Sequence, residues 1–358
     1  MLYETFEKIY ALEKEGKKIL KLNVGEPDWK PSSSVIEKAY NGMKKGAYLY
    51  GSSAGELSLR GKIAEIHGCK SENVVIVPGS KWGIYGLLKL HLNHGDNAVI
   101  FSPYWTAYEG MCKSVGGEAK IVSLKGDEWE IDLDQIEQAI DSRTKIIILN
   151  SPCNPTSSAW NEQIESRLLA LAKQKGIVVL ADDAYRDLCF DKRKDRQLED
   201  NLLIAHTFSK TFGMTGWRIG YIIAKEEIAK KMIQLNQITI TNVPIFIQQA
   251  AQTALEEKEE IAQKARNVCK KRAELACKML GNSFTISKPN AGFYLFPKLP
   301  ETITTNQFID KLLKKGVAVT PGGAFGDYTQ HVRISLCKDE KILKDALEKM
   351  VEIVNISE

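Results

Sequence analysis

The stretch HTFSKTFGMTGWRIGY, residues 206–221, brings anion-binding and nucleophilic side chains together in one short segment. Thr207 and Ser209 supply hydroxyl groups, Lys210 supplies an amine, and Arg218 supplies a planar set of N–H donors. Two hydroxyls and a guanidinium are a suitable set of donors for a phosphate dianion. The stretch therefore predicts a phosphate site with a lysine at its edge.

A second anion-binding signal is PGSK, residues 78–81, which follows the strand-like run NVVIV and opens a helix. Free backbone amides and the helix dipole hold anions at such a position, so Gly79, Ser80 and Lys81 are candidates for the same phosphate. The segment lacks the G-x-x-x-x-G-K-[ST] spacing of a nucleotide phosphate loop. A plain strand-to-helix turn with a serine cap is the alternative interpretation.

Two further candidates follow other strand-like runs, at the positions where ligands bind in α/β sheets. Asn154 lies between two prolines in LNSPCNPTSSAW, residues 149–160, and either contacts a ligand or shapes a structural turn. Trp105 lies in SPYWTAY, residues 102–108, and is a candidate platform for stacking on a flat ring. Taken alone, such a tryptophan is more often a core residue.

The stretch VVLADDAYRDL, residues 178–188, ends a strand with Asp182 and Asp183 and continues to Tyr185. Two carboxylates at a strand end could bind a metal ion, but no further carboxylate or histidine cluster lies nearby in the sequence. A carboxylate also pairs with a cationic ring nitrogen, which is the interpretation that fits the neighbouring signals.

Short apolar runs alternate with helical segments through the middle of the chain. Runs rich in β-branched residues suit strands that helices cover on both faces of a parallel sheet. This alternation predicts an α/β fold. The predicted strands are 73–77, 97–101, 145–150, 176–181, 202–208 and 218–224.

The pattern changes near Pro244, where a helical stretch begins that runs to Leu280. Strands mixed with two helices follow it, which predicts a smaller α+β domain, and the first thirty residues are expected to pack with that domain. The predicted division is residues 1–30 as an N-terminal segment, 31–265 as a large cofactor-binding domain, and 266–358 as a small C-terminal α+β domain.

Composition and charge narrow the function classes. The chain has 358 residues, of which 44% are hydrophobic and 26% charged, as is ordinary for a soluble globular protein. Its net charge of +4 is spread without a basic stripe, so a nucleic-acid partner is not expected. Neither a membrane span nor a signal peptide is predicted. Seven scattered cysteines and five unclustered histidines predict a cytoplasmic protein without disulfides or a metal site.

Together, these signals describe a site for a phosphorylated aromatic cofactor held by a lysine. Their order and spacing closely resemble the class I and II aminotransferases, fold-type I enzymes dependent on pyridoxal 5'-phosphate, and within them the bacterial and archaeal aspartate branch. The resemblance implies an α/β large domain with a mostly parallel seven-stranded sheet between helices, plus a small α+β domain. The stretches that carry it span nearly the whole chain: LNVGEPDW (22–29), YLYGSSAGELSLR (48–60), PGSK, PYW, NSPCNPT, DDAY, SKTFGMTGWRIGY and VRISL (332–336).

The resemblance implies a role for each residue of the reactive cluster. Lys210 resembles the lysine that forms a Schiff base with the cofactor and later carries a proton between the substrate α-carbon and the cofactor. Asp182 resembles the partner of the pyridine nitrogen, with Asp183 as a competing candidate. Tyr185 and Asn154 resemble the two groups that hydrogen-bond the ring oxygen. The implied catalytic residues are Lys210, Asp182 and Tyr185.

A second set of residues matches the groups that hold the rest of the cofactor in this family. Arg218 resembles the phosphate arginine, and Trp105 resembles the aromatic residue that stacks on the ring. Tyr50 matches the tyrosine that reaches the phosphate of the neighbouring subunit, so the resemblance implies a homodimer with shared active sites. The remaining members of the implied phosphate cradle are Gly79, Ser80, Lys81, Thr207 and Ser209.

The substrate-binding residues implied by the resemblance come from both predicted domains. Arg333 resembles the small-domain arginine that binds the substrate α-carboxylate through two parallel hydrogen bonds. Gly25 resembles the glycine whose backbone touches that carboxylate, and Trp105 and Asn154 also match substrate-contacting positions. Lys81 takes the position of a lysine that helps to bind a second carboxylate in the aspartate branch. The resemblance therefore favours aspartate with 2-oxoglutarate, exchanged by a ping-pong mechanism.

Two departures from the family pattern weaken the aspartate assignment and leave an alternative substrate class open. The chain is shorter at its N-terminus than many relatives, and NPTSSAW lacks the usual glycine after NPT. A more open pocket lined by Trp29, Trp82 and Phe325 would accept aromatic or more varied amino acids. Two other interpretations stay open: a carbon–sulfur β-lyase on the same scaffold, and a non-enzymatic regulator, against which the presence of Lys210 argues.

Overall fold

The computed structural model describes residues 2–126 and 128–356, so Met1, Asp127 and the last two residues of the predicted small domain lie outside the described chain. Its α-helices are α1 (Leu2–Lys14), α2 (Ser33–Lys44), α3 (Leu57–Ile66), α4 (Ser80–His91), α5 (Ala107–Ser114), α6 (Leu133–Ala139), α7 (Glu162–Gln174), α8 (Glu226–Thr239), α9 (Ile245–Glu256), α10 (Lys258–Leu280), α11 (Thr305–Lys314) and α12 (Glu340–Asn355). Its strands are β1 (Leu20–Lys21), β2 (Val74–Val77), β3 (Asn97–Ser102), β4 (Glu118–Ser123), β5 (Thr144–Leu149), β6 (Val178–Asp182), β7 (Leu202–Thr207), β8 (Gly220–Ile223), β9 (Tyr294–Leu295), β10 (Val317–Ala318), β11 (Thr320–Pro321) and β12 (Val332–Ser335).

The main sheet has seven strands in the order β2-β8-β7-β6-β5-β3-β4. β8 runs antiparallel to both of its neighbours, whereas the other pairs are parallel, which confirms the predicted α/β fold with a mostly parallel seven-stranded sheet. Successive side chains of a strand point to opposite faces. On β5, Ile147 and Leu149 therefore join one apolar core with residues of α3, α7 and α9, while Ile146 and Ile148 join another with residues of α4, α5 and α8.

The parallel strands end at one edge of the sheet, where ligands bind in α/β folds. β5 leads into the segment that contains Asn154, β6 ends at Asp182, and β7 ends at Thr207, just before Lys210. β2 leads directly to Gly79 and the first turn of α4. The topology thus gathers at this edge residues that are far apart in the sequence.

A further apolar core is built by α10, α11, α12 and the short sheet β11-β12-β9. Ile9 and Leu22 from the N-terminal segment are part of this core, and β1 pairs in parallel with β10. The division of the chain into segments 1–30, 31–265 and 266–358 stays a prediction. Its second boundary falls inside α10, which continues through it as one helix.

Three elements differ from the sequence prediction. The edge strand β4 is not predicted, because it pairs with β3 alone and only one of its side chains is buried, so it lacks an apolar run. The helical stretch from Pro244 to Leu280 is two helices, α9 and α10, that meet at Glu257. The run GVAVT forms two short strands, since β10 pairs with β1 and β11 pairs with β12.

A membrane-spanning helix would need a combination of length and apolar character that none of the helices within residues 2–126 and 128–356 has.

Candidate active site

A cavity of about 470 Å³ opens at the carboxyl edge of the main sheet, and residues of the N-terminal segment, β9 and β12 complete its walls. All the predicted site residues except Tyr50 line it: Gly25, Gly79, Ser80, Lys81, Trp105, Asn154, Asp182, Tyr185, Thr207, Ser209, Lys210, Arg218 and Arg333. The sequence analysis does not predict the other lining residues: Asn23, Val24, Tyr108, Asn150, Ala184, Thr215 and Tyr294.

One end of the cavity is formed by backbone amides and hydroxyl groups. Gly79 precedes α4 with a φ of +86°, a conformation that glycine adopts without strain. The amides of Ser80 and Lys81 lie in the first turn of α4, where helical N–H groups have no partner within the helix. The Thr207 hydroxyl donates to Ser209 Oγ at 2.9 Å, so both hydroxyls lie together. This end has the donors that an anion requires.

Arg218 reaches the same end from a left-handed backbone conformation, with a φ of +55°. Its Nη1 donates to the Thr215 carbonyl oxygen at 2.9 Å. A Cβ on Gly79 would lie 2.8 Å from Arg218 Nη2, and a Cβ on Gly220 would lie 2.8 Å from the Ser80 amide nitrogen. The two glycines therefore allow the guanidinium and the helix N-terminus to lie close to the backbone around them.

Asp182, at the end of β6, is almost fully buried in the cavity wall. Its Oδ2 accepts a hydrogen bond from the Tyr108 hydroxyl at 2.6 Å, and its Oδ1 accepts one from the Ala184 amide at 3.2 Å. Burial raises the pKa of Asp182 to about 6, although both hydrogen bonds oppose that shift. Neutral donors thus fix a carboxylate that a cation in the cavity would stabilise.

Asp183, the competing candidate, does not line the cavity. Its Oδ1 accepts a hydrogen bond from Arg196 Nε at 2.9 Å, in a buried cluster that includes Arg186 and Glu165. Burial alone would raise the pKa of Asp183, but the charges of Arg196 and Arg186 outweigh burial and hold this pKa below its ordinary value. The two neighbouring aspartates therefore have opposite electrostatic surroundings.

Replacing Asp182 with asparagine is expected to stabilise the cofactor-free protein by about 1–3 kcal/mol at about pH 8, because it removes a carboxylate whose ionisation burial disfavours. The pKa of Asp182 in the folded state, about 6, exceeds the ordinary value of 3.8. The folded state therefore binds this proton more tightly, and the contribution of Asp182 to the free energy of unfolding falls as pH rises from about 4 through about 6. Urea unfolding at several pH values measures the difference, which should shrink below about pH 6.

Asp183→Asn is the matched control for this measurement. It removes a carboxylate that Arg196 stabilises, so we expect it to lower the free energy of unfolding at about pH 8. Equal destabilisation by both substitutions would show that the raised pKa of Asp182 is wrong.

Lys210 is held by the N-terminal segment. Its Nζ donates to the Gly25 carbonyl oxygen at 2.7 Å and lies 5.8 Å from the centre of the Tyr185 ring. The indole nitrogen of Trp29 donates to the carbonyl oxygens of Lys210 and Thr211 at 3.1 and 3.0 Å. Both the side chain and the backbone of the lysine are thereby fixed next to the cavity.

Tyr185 lies opposite a second tyrosine, Tyr294, and their hydroxyl oxygens are 3.1 Å apart. Burial raises the pKa of Tyr185 well above its ordinary value, so its phenol remains a neutral hydrogen-bond donor at neutral pH.

Arg333 occupies the wall opposite the main sheet, on β12. Its Nη1 donates to Asn154 Oδ1 at 2.9 Å, and its Nη2 donates to the Asn23 carbonyl oxygen at 2.7 Å. Its guanidinium carbon lies 4.5 Å from the centre of the Tyr294 ring and 4.9 Å from that of Phe325. Nε has no hydrogen-bond partner among the described residues. A fixed guanidinium with unused donors suits a carboxylate.

Lys81 is the other cation expected to contact the substrate. It is exposed at the first turn of α4, and its ammonium nitrogen lies 5.1 Å from the centre of the Trp105 ring. The aromatic face attracts the ammonium, which keeps the charge at the cavity wall.

The aromatic residues expected to line a more open pocket do not do so. Trp82 donates instead to Asn236 Oδ1 at 3.1 Å, and Trp29 donates to the backbone carbonyl oxygen of Lys210. Phe325 is buried against the guanidinium of Arg333. That prediction is wrong because all three side chains are engaged in contacts behind the cavity wall.

Tyr50 lies outside the cavity of its own chain, and its side chain is 85% exposed. It belongs to a surface that exposes several other large apolar side chains, from α2, the following loop and the start of α3. These are Ile36, Tyr40, Met43, Tyr48, Leu49 and Leu57.

Some of the missed residues carried a usable signal in the sequence. Asn150 directly follows a buried strand, so the rule that selected Asn154 also applies to it. Tyr108 lies three positions after Trp105, but its partner Asp182 lies 74 positions further along the chain. Tyr294 lies in an aromatic run, GFYLF, where nothing distinguishes it from a core residue.

One group of side chains outside the cavity has the composition of a metal site. Asp187, Asp195 and His206 offer ligand atoms within 4.8 Å of one another. Lys258 Nζ lies 3.0 Å from Asp187 and 2.6 Å from Asp195, so an ammonium group compensates these carboxylates.

The cavity fits pyridoxal 5'-phosphate, the cofactor implied by the sequence. This group requires donors for its phosphate, a carboxylate for its ring nitrogen and an amine for its aldehyde. Arg218, Asp182 and Lys210 provide these groups in one cavity, and Gly79 and Gly220 keep the anion-binding end free of Cβ atoms.

Comparisons with known proteins extend over nearly the whole chain. The family described as aminotransferase class I and II matches residues 17–350. An aspartate aminotransferase from Sulfolobus acidocaldarius is 32% identical, covering 99% of this chain and 94% of that protein. A structure of an aspartate aminotransferase from Thermus thermophilus with maleate superposes with a TM-score of 0.92 at 27% identity, covering 98% of this chain and 96% of that one. An aromatic aminotransferase from Pyrococcus horikoshii superposes with a TM-score of 0.89 at 27% identity and covers 99% of each chain.

Proposed function

The chain belongs to the aminotransferase class I and II family, and we propose that it transfers the amino group of aspartate, or of another acidic L-amino acid, to a 2-oxo acid such as 2-oxoglutarate. The enzyme is an aminotransferase that uses pyridoxal 5'-phosphate. Four cationic side chains line the cavity, and Lys210 and Arg218 are assigned to the cofactor. The observation that carries the choice of substrate is that the other two, Arg333 and Lys81, line the same cavity. Two cations suit a substrate with two carboxylates.

A panel of amino donors tests this proposal. Glutamate formation from 2-oxoglutarate is measured with aspartate, alanine and tyrosine as donors. We expect kcat/KM for aspartate to exceed the others by about tenfold or more, because only aspartate pairs with both cations. A higher value for tyrosine would replace the acidic substrate with the aromatic alternative.

Pyridoxal 5'-phosphate supplies an aldehyde that accepts the amino group and a ring that withdraws electrons from the substrate α-carbon. We propose that Lys210 holds the cofactor covalently and then moves the proton at that carbon, because its Nζ lies in the cavity between Gly25 and Tyr185. The N-terminal segment, through Trp29, fixes the backbone of this lysine and so keeps its amine in place.

The groups around Asp182 are proposed to orient the ring. Asp182, with a pKa of about 6, is ionised at neutral pH and pairs with the protonated ring nitrogen. The Tyr108 hydroxyl donates to Asp182 Oδ2 and so fixes the carboxylate. Tyr185 and Asn154 hold the ring oxygen, and Trp105 stacks on the ring.

Arg218, Thr207, Ser209 and the amides of Ser80 and Lys81 are proposed to bind the phosphate. The two hydroxyls are already within hydrogen-bond distance of each other, and the amides belong to the N-terminus of α4. These donors are fixed before the anion arrives, so little ordering entropy opposes binding.

Arg333 is proposed to bind the α-carboxylate and Lys81 the second carboxylate. A relative whose structure was solved with maleate, a dicarboxylate, supports a ligand with two carboxylates. The position of Lys81 beside Trp105 places its charge next to the proposed ring site.

Lys81→Met is expected to lower kcat/KM for aspartate by about tenfold to thirtyfold, because the second carboxylate loses its cation. The value for alanine, which has no second carboxylate, should change by less than about threefold. Lys89→Met, on the exposed side of the same helix and outside the cavity, is the matched control. An equal loss for aspartate and alanine would contradict the role of Lys81.

The aromatic or broad-specificity alternative is not favoured, because several curated relatives of nearly full length are aspartate aminotransferases, although an aromatic aminotransferase is among the structural relatives. The donor panel distinguishes it from the acidic substrate. The carbon–sulfur β-lyase alternative is not favoured, since the curated relatives of nearly full length include several aspartate aminotransferases.

We also propose that the protein is a homodimer in which Tyr50 completes the phosphate site of the neighbouring subunit. The support is that Tyr50 is highly exposed, lies outside the cavity of its own chain and belongs to the apolar surface of α2 and residues 48–57. Sedimentation analysis should give the mass of a dimer.

Mixing two inactive variants tests the shared site. In a hybrid dimer of Lys210→Ala and Tyr50→Ala subunits, one site carries both defects and the other carries neither. We therefore expect re-associated mixtures to recover about a quarter of the native activity. Recovery would be absent if Tyr50 acted within its own chain.

A cytoplasmic location is part of the same proposal. All seven cysteines are free, and thiols of this kind persist in a reducing compartment.

A further inference from the structure

Tyr294, on β9, lies where three parts of the cavity meet. Its hydroxyl oxygen is 3.1 Å from that of Tyr185, and its ring centre is 4.5 Å from the guanidinium carbon of Arg333. A Cβ on Gly25 would fall 1.6 Å from the Tyr294 hydroxyl oxygen, so the N-terminal segment approaches this tyrosine as closely as glycine allows. The buried Tyr294 side chain therefore lies next to three residues of the site. Tyr185 is proposed to bind the cofactor, Arg333 is proposed to bind the substrate carboxylate, and Gly25 accepts the hydrogen bond of Lys210.

We infer that Tyr294 is a positioning residue with two separable parts. Its ring holds the Arg333 guanidinium in the plane that a carboxylate requires, and its hydroxyl donates to Tyr185 and strengthens the hydrogen bond that Tyr185 gives to the cofactor. This inference rests on the proposed function of the cavity and goes beyond it, because it assigns a role to a residue on a different strand from every proposed ligand.

The contacts around Arg333 indicate how the Tyr294 ring acts. Hydrogen bonds to Asn154 and the Asn23 carbonyl fix the edge of the guanidinium, while the rings of Tyr294 and Phe325 lie against it. A carboxylate pairs best with two parallel N–H groups, so a tilt of the guanidinium weakens binding. The aromatic neighbours restrict that tilt and add cation–π attraction.

The role of the Tyr294 hydroxyl follows from the single proton that each of the two phenols, Tyr185 and Tyr294, can donate. When Tyr185 donates its single proton to the cofactor, its oxygen is left to accept a hydrogen bond. The Tyr294 hydroxyl is the group at hydrogen-bond distance, and consecutive hydrogen bonds strengthen one another in a buried site. The other titratable groups around Tyr185 are Asp182 of β6, Arg333 of β12 and Lys210 after β7, and a change of Tyr294 leaves them in place.

Succinate binding tests the ring, because succinate has two carboxylates but neither an amino nor an oxo group. Calorimetric titration of the holoenzyme gives its dissociation constant. We expect Tyr294→Phe to bind succinate within about twofold of the native enzyme, and Tyr294→Leu to bind about tenfold more weakly. Phe325→Leu should also weaken binding, since it removes the other ring beside Arg333. Native affinity in Tyr294→Leu would overturn the role of the ring.

The absorbance of the bound cofactor tests the hydroxyl. Its visible band changes with pH, and the midpoint depends on how strongly Tyr185 stabilises the ring oxygen. A weaker hydrogen bond from Tyr185 favours the protonated form of the bound cofactor. We therefore expect Tyr294→Phe to raise the pH midpoint of the absorbance change by about 0.5 pH unit or more. Phe325→Leu, which does not contact Tyr185, should keep the native midpoint. An unchanged midpoint in Tyr294→Phe would overturn the role of the hydroxyl.

The native enzyme separates these outcomes from a failure of the proposed function. If the native holoenzyme does not bind succinate, the acidic substrate assignment is wrong, whatever the variants do. If Tyr294→Leu fails to fold in a thermal unfolding assay, Tyr294→Met replaces it, because methionine fills the space without an aromatic face. A tenfold loss of succinate affinity in that variant would then support the role of the ring, and native affinity would overturn it.

Discussion

Lys210→Ala is expected to lower kcat for amino transfer by about 10⁴-fold or more, because it removes both the covalent attachment of the cofactor and the base at the substrate α-carbon. The fold should survive, since among the described residues the Lys210 side chain makes a single hydrogen bond, to the Gly25 carbonyl oxygen. Single-turnover assays at saturating aspartate measure the loss. Circular dichroism of the variant confirms that the loss is chemical.

Reduction with borohydride locates the attachment directly. The native chain should retain the cofactor through denaturation after reduction, whereas Lys210→Ala should release it. Lys192→Ala is a control, because Lys192 is an exposed lysine paired with Glu259 at 2.7 Å and distant from the lining residues. If reduced Lys210→Ala still carries cofactor on the chain, another lysine is the point of attachment.

Arg333→Ala is expected to lower kcat/KM for aspartate by about 10²- to 10³-fold. The substrate carboxylate loses its two-donor partner, and Asn154 Oδ1 loses the hydrogen bond from Arg333. The Asn23 carbonyl oxygen also loses a hydrogen bond from Arg333, but it keeps the one from the Thr320 hydroxyl. Steady-state kinetics should show the loss mainly in KM.

Arg333→Lys separates charge from geometry. Lysine keeps the charge but not the planar set of donors, so we expect it to recover part of the loss and to remain about tenfold below the native enzyme. Arg143→Ala, which changes an exposed arginine paired with Asp141 and Glu118, should leave the kinetics unchanged. Native kinetics in Arg333→Ala would remove this arginine from the substrate site.

The parts of the site that follow buried strands were accessible from sequence. Parallel strands covered on both faces are continuous apolar runs, so their ends are visible, and the polar residues just beyond them lie at one edge of the sheet. Asn154, Trp105 and Asp182 were predicted by that rule, and the structure places all three in the cavity wall. The alternation of side chains along β6 also implies that the side chains of Asp182 and Asp183 point in opposite directions. It does not show which of them faces the cavity.

The contacts between distant segments were not accessible from sequence. Tyr108 with Asp182, Tyr294 with Tyr185, and Arg333 with Asn154 each join parts of the chain that the pattern treats separately. Their geometry depends on how the C-terminal core docks on the main sheet, and no local propensity encodes that docking. Buried aromatic residues add to the difficulty, because their composition alone suits a core position equally well.

A single turnover with nitrogen-labelled aspartate shows whether the enzyme transfers the amino group of aspartate to a 2-oxo acid. Holoenzyme is mixed with the labelled donor in the absence of any oxo acid, and the products are followed by mass spectrometry. We expect about one oxaloacetate per active site with no free ammonia, followed by labelled glutamate once 2-oxoglutarate is added. Release of ammonia, or glutamate without the label, would contradict this transfer.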